Sequence, residues 1–256
     1  LGEFGPQGLS NICWALATME LTRLETVRSF LIATAGKVMS ELPGYPPQAI
    51  ANLCWAMCRL NGAPEDSTVN MFASAVAVQA RRRMQEFEWQ DLAGIVSAFN
   101  RAELVHLEEV HSFASELVSF AASSEDSEIG IGMQALLNIA LSAVRLGVEP
   151  HWLLPLADRI GAVFAEEGVA GSLNDIDRRQ WSEVKAHCAV TPSWSSAASL
   201  LRHDRYAKYG MAASHPQGYC DEQQAFSSEY SYFEDQDVAQ AASNAHGYFD
   251  EQQAFS

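Results

Sequence analysis

The amino-acid sequence predicts an all-α fold, an α-solenoid of about four stacked helix-pair repeats, and three observations carry the prediction. First, YPPQAIANLCWAMCRL at 45–60 has a near copy upstream, FGPQGLSNICWALATM at 4–19, in which Pro6, Gln7, Asn11, Cys13, Trp14 and Ala15 match Pro47, Gln48, Asn52, Cys54, Trp55 and Ala56. Second, fainter copies follow, FEWQDLAGIVSAFNRA at 87–102 and IGMQALLNIALSAVRL at 131–146, so that Gln7, Gln48, Gln90 and Gln134 stand 41, 42 and 44 residues apart. Third, apolar residues inside the copies recur at intervals of three and four, the spacing of one buried helix face. A period of this length with two helical patterns per unit describes stacked helix pairs, each of which must lean on its neighbours to bury its apolar face.

The units are expected near 4–42, 45–86, 87–126 and 131–168, with a capping helix at 173–190, so that the helical-repeat domain spans 1–190. Each first helix opens after an aromatic or apolar residue and turn chemistry, as in Phe4-Gly5-Pro6 and Gly44-Tyr45-Pro46-Pro47. Proline suits the first helical position because its missing N–H would have no intrahelical partner there. Leu9, Ile12, Leu16 and Met19 are then expected in the core, as are Ile50, Leu53, Met57 and Leu60. Second helices are expected over 24–42, 67–87, 103–122 and 150–166, with stops at Gly62, Gly147 and Gly168. Gly94 stands where other copies carry Asn and marks the third unit as degenerate. The stretch 173–190 has helical spacing and a Gln180-Trp181 pair but fits the repeat poorly, which favours a cap over a fifth unit.

Composition bounds the function classes. No run reaches the roughly eighteen uncharged apolar residues that a membrane helix needs, so no membrane insertion is expected. The first residue is Leu and the first repeat begins within four residues of it, which reads as a fragment or a processed chain without its targeting segment. Five cysteines without a pairing pattern, with Cys13 and Cys54 in one repeat column, point to reduced and mostly buried thiols. The net charge of −16 is unevenly spread. Residues 1–208 carry all 16 Lys and Arg against 24 Asp and Glu, a balance of −8, and residues 209–256 add 8 acids and no base. Affinity for phosphate comes from Lys and Arg that displace counterions, so half of the objection to a nucleic-acid ligand sits on the tail. From 191 onward the composition turns to Ser, Ala, Gln, Tyr and acids, and a disordered acidic tail with few branched apolar residues is expected. It contains GYCDEQQAFS at 218–227 and again, as GYFDEQQAFS, at 247–256. The duplication is either a drifting copy or a two-copy linear motif that gains from linked valency.

No catalytic constellation is present, and no enzyme activity, cofactor or metal is expected. There is no phosphate loop, GxSxG elbow or HExxH; His106 and His111 stand five apart, and Ser182 with Lys185 matches SxxK without its companion motifs. The repeated polar residues are more informative. Seven residues after the column Asn11, Asn52, Gly94 and Asn138 comes a second column, Thr18, Arg59, Arg101 and Arg145. Residues seven apart share a helix face, so stacked units align these side chains into a polar ladder. Asn is a poor helix-interior residue because its amide competes for backbone hydrogen bonds, so its recurrence asks for a partner. Three partners compete: the backbone of a neighbouring repeat, with Arg reaching acids on the adjacent helix; an extended peptide held by the amides; and single-stranded RNA, whose base edges Asn or Arg read and whose bases stack on guanidinium planes. Trp14 and Trp55, each between Cys and Ala, are better suited to the core than to a stacking platform.

The motif PQxLxNxxWAxA, present as PQGLSNICWALA and PQAIANLCWAMC, resembles the helix-pair repeats of octotricopeptide-repeat and RAP-associated proteins of algae and other protists. The resemblance covers about residues 4–170, clear in two copies and faint in two. It implies single-stranded RNA as the leading ligand, in organelle RNA processing, stability or translation in chloroplast or mitochondrion. A protein-interaction scaffold is the alternative. The binding candidates under either are Asn11, Asn52, Asn138, Thr18, Arg59, Arg101 and Arg145.

Overall fold

The protein is described by a computed structural model, which covers residues 4–60, 67–124, 132–165 and 174–190. Those residues are helical, with turns between. The first helices of the four units are α1 (Pro6–Thr18), α3 (Pro47–Cys58), α5 (Trp89–Arg101) and α7 (Met133–Arg145), and the second helices are α2 (Glu25–Val38), α4 (Ser67–Arg82), α6 (Glu108–Ser123) and α8 (Pro150–Ala165). A further helix, α9 (Asp175–Cys188), follows. The expected tail and its duplicated motif lie outside the described residues.

Two rows of helices build the stack. In the first row α1 packs on α3, α3 on α5, α5 on α7 and α7 on α9; in the second row α2 packs on α4, α4 on α6 and α6 on α8. The core lies between the rows. Leu9, Ile50, Leu92 and Leu136 occupy the same place in successive first helices and are all buried. Against them the second row places Leu31, Phe72, Phe113 and Leu153, also buried. Phe99 of α5 meets Phe113 of α6 edge to face, with ring centroids 6.0 Å apart, a geometry that sets the electropositive ring edge on the electron-rich face.

Local chemistry sets the register. Pro6 and Pro47 begin their helices, as the first-position preference dictates. Gln7, Gln48, Gln90 and Gln134 are each the second residue of their helix, so the starts fall in step. Two residues ahead of the helix start stands an aromatic anchor, Tyr45 in unit two and Phe87 in unit three, both buried. In units one, three and four the chain reverses at the fifteenth place counted from the start of the first helix. Glu20 (φ 56°), Glu103 (φ 55°) and Gly147 (φ 77°) all adopt the left-handed conformation there. Such a residue ends a helix by turning the next N–H back onto its last carbonyls.

Four expectations are corrected. The second helix of unit one ends at Val38, and the chain to Gly44 continues as a short 3-10 turn, Leu42–Gly44. The second helix of unit three begins at Glu108 rather than at 103, because the left-handed Glu103 and the 3-10 turn Leu104–His106 intervene. Met19 is 66% exposed and Ile12 and Leu16 are only half-buried. The cause is that α1 has a first-row neighbour on one side alone among the described residues. Finally, the second helix of unit two ends at Arg82 rather than at 87, ahead of the 3-10 turn Met84–Glu86. The stretch expected as a capping helix, 173–190, forms α9, which packs on both α7 and α8 and is opened by a capping box in which Asn174 and Asp177 exchange side-chain to backbone bonds.

Candidate functional site

Counting each first helix from its start groups the repeated residues into four columns. The second place holds Gln7, Gln48, Gln90 and Gln134, all exposed. At the sixth are Asn11, Asn52, Gly94 and Asn138, followed at the ninth by Trp14, Trp55, Ser97 and Leu141. The thirteenth holds Thr18, Arg59, Arg101 and Arg145. Steps of four, three and four keep a residue on one side of a helix, so each helix lines up one member of every column. In α9 the sixth, ninth and thirteenth places are Gln180, Glu183 and His187. These three residues match the columns by position and not by identity.

The amides join along the stack. Gln7 Nε2 donates to Asn11 Oδ1 at 3.4 Å in unit one, and Gln134 Nε2 donates to Asn138 Oδ1 at 3.1 Å in unit four. Gln180 Nε2 also donates to Asn138 Oδ1, at 3.3 Å, while its own Oε1 accepts from Gln134 Nε2 at 3.4 Å. In each Gln–Asn pair the Gln oxygen and the Asn nitrogen are left as one acceptor beside one donor. Unit three has a gap in this column, since a Cβ built on Gly94 meets nothing within 4 Å.

Two of the thirteenth-place residues, Arg59 and Arg145, are engaged with a neighbouring helix. Arg59 is 8% exposed; its Nη1 donates to the Ala17 carbonyl at the end of α1 at 3.4 Å, and its guanidinium carbon lies 4.0 Å from the ring centre of Trp55. Arg145 forms a two-bond fork with Glu183 of α9. Thr18 donates its hydroxyl to the Trp14 carbonyl at 2.9 Å, and Arg101 is half-buried. In the second row Arg28 donates to the Leu60 carbonyl at 2.9 Å and Arg159 to that of Ala121. His187 reaches the Val148 carbonyl at 3.2 Å. Arginines placed on the carbonyl ends of neighbouring helices satisfy orphan acceptors and favour the helix dipole. The sequence alone separated none of these struts from a ligand-facing arginine, because each partner lies about one repeat away.

Trp14 and Trp55 are half-buried rather than enclosed. Their ring centroids lie 6.2 Å apart with a 34° tilt. The ninth place falls on the outer face with the amides, which is why small neighbours in sequence did not draw these rings into the core. Helices α1 and α3 contain no charged residue, so the net charge of −16 is carried elsewhere. Four cysteines, Cys13, Cys54, Cys58 and Cys188, are free thiols buried in the core. Burial pushes Cys13 and Cys188 up to about 11 and raises Cys54 well above the ordinary thiol value, which keeps these three in the thiol form.

Among the described residues no three His, Cys, Asp or Glu side chains gather as a metal would need, and no helix is long and apolar enough to cross a membrane. Comparisons with protein-family models, curated proteins and solved structures gave no match.

Proposed function

We propose that the outer face of the first row binds single-stranded RNA without catalysing a reaction. The observation that supports this most directly is the Trp14–Trp55 pair, half-buried beside the amide columns on two helices that carry no charge. Bases stack on aromatic rings whatever their identity, and Asn and Gln amides match the donor and acceptor pattern of base edges. With Arg59 as the cation next to this pair and Arg145 bound to Glu183, stacking and edge contacts would dominate over phosphate contacts. A role in organelle RNA processing, stability or translation rests on the family resemblance of the repeats.

Fluorescence anisotropy of a labelled single-stranded oligonucleotide tests the proposal across a salt series. Binding is expected with a shallow salt slope, about 0.7 for a single phosphate contact rather than the roughly 2 that three arginines would give. No binding at 50 mM salt, reached at micromolar protein, would overturn it.

A second function, a scaffold that holds a basic extended peptide, is favoured by one specific observation. The Gln7–Asn11 and Gln134–Asn138 amide pairs recur along one face of a chain of net charge −16, and paired amides hold an extended backbone whose basic side chains an acidic chain attracts. The same titration with a Lys- and Arg-rich peptide separates the two, since a peptide held by this face would bind where the oligonucleotide does not.

A further inference from the structure

We infer that Trp14 is the open end of a ring stack and is the site at which one planar nucleobase seats, with Gln7 and Asn11 meeting its edge. The inference rests on the RNA proposal and deepens it by naming the subsite.

Units one and two share the Gln, Asn and Trp columns and differ in the fourth, at the thirteenth place. In unit two the thirteenth residue, Arg59, lays its guanidinium over Trp55 at 4.0 Å, and Trp55 in turn lies 6.2 Å from Trp14. In unit one the thirteenth residue is Thr18, whose hydroxyl is committed to the Trp14 carbonyl. The series therefore runs Arg59, Trp55, Trp14, the two rings tilted against each other, and among the described residues no cation lies over its Trp14 end. Among the described residues, the one ring contact of Trp14 is Trp55.

The other described tryptophans contrast with it. Trp181 is buried against Phe164, Trp89 stacks on Phe120 at 4.9 Å, and Trp152, 49% exposed, belongs to the second row, which carries none of the amide columns. Next to Trp14 along the helix, the exposed Gln7–Asn11 pair keeps one acceptor and one donor for a ligand. Every nucleobase offers a donor beside an acceptor on its Watson–Crick edge, so this pair suits a flat base. A point-like ammonium, which has donors only, leaves the Asn11 N–H groups unanswered.

The test uses the full chain, an eight-nucleotide single-stranded RNA with a terminal dye, and two readouts, dye anisotropy for binding and tryptophan emission for the subsite. Oligonucleotide binding is expected to quench emission. Trp14→Phe should remove that quench while weakening binding only a few-fold, whereas Trp55→Phe should leave the quench in place. Trp14→Ala should weaken binding roughly five- to hundred-fold, the worth of one stacked base. Equal melting temperatures of the two Phe variants would show that folding is not the cause. Quench that survives Trp14→Phe, or that Trp55→Phe abolishes, overturns the subsite while the RNA proposal stands. Absent oligonucleotide binding by anisotropy overturns both, and quench by a Lys- and Arg-rich peptide alone would assign Trp14 to a cationic side chain.

Discussion

Arg145 holds Glu183 through two parallel bonds, Nε to Oε1 at 3.0 Å and Nη2 to Oε2 at 3.1 Å, and so ties the end of α7 to the middle of α9. The fork has good geometry, but the side chains are 32% and 40% exposed, so water and salt screen it. A double-mutant cycle with Arg145→Ala and Glu183→Ala should give a coupling of about 0.5–1 kcal/mol in urea unfolding at low salt. At 1 M salt most of it should vanish. A coupling near zero at low salt would leave α9 to its buried Trp181, Val184 and Cys188 and to the hydrogen bonds of Gln180 and His187.

That pair also marks where the sequence stops being informative. The positions of Gln7, Gln48, Gln90 and Gln134 and the burial of Leu9, Ile50, Leu92 and Leu136 follow from local rules: proline and turn chemistry fix the helix starts, and the apolar period fixes the buried face. Nothing local reveals a partner one repeat away, so the three arginines of the thirteenth column read equally well as ligand contacts and as struts. Apolar spacing likewise assigns Met19 to an inward face but does not say whether a neighbouring helix covers it. The helix at 173–190 was legible from its spacing, but its register with the first row was not, because Gln180, Glu183 and His187 stand where the other units carry Asn, Trp and Arg. The left-handed turns at Glu20 and Glu103 were hidden for a related reason, since the residue that usually announces such a turn is glycine.

Asp91, in the first turn of α5, has its carboxyl pushed up from 3.8 to about 6, chiefly by burial and further by the Glu88 carboxylate, against the lowering effect of a backbone hydrogen bond. Between those two values the folded chain binds more protons than the unfolded one. Stability from this group is therefore greatest below about pH 4, falls as pH rises to about 6 and stays reduced above. Asp91→Asn removes the charge that burial penalises. It should stabilise the protein at pH 7 by roughly 1–2 kcal/mol after allowance for partial solvent screening, and have little effect at pH 4. Urea melts at the two pH values decide the matter, and an equal effect at both would remove ionisation as the cause.

The left-handed residue at the fifteenth place makes opposite predictions for two equivalent positions. At Glu103, with φ 55°, a side chain bears the cost of a Cβ close to the next carbonyl oxygen, about 1–2 kcal/mol. Glu103→Gly removes that cost but adds freedom to the unfolded chain, worth about 0.4–1 kcal/mol in the other direction. The net expectation is a gain of roughly 0.5–1 kcal/mol. At Gly147, with φ 77°, Gly147→Ala introduces the strain that Glu103 already carries. A Cβ there would lie 3.6 Å from Val105 Cγ2, an ordinary contact, so backbone conformation and not crowding sets the cost. A loss of roughly 0.5–1 kcal/mol is expected from Gly147→Ala by the same two terms reversed. Thermal unfolding of the two single variants measures both signs. If both substitutions destabilise, the Glu103 side chain contributes something that its backbone strain does not outweigh, and the turn is not the same device in units three and four.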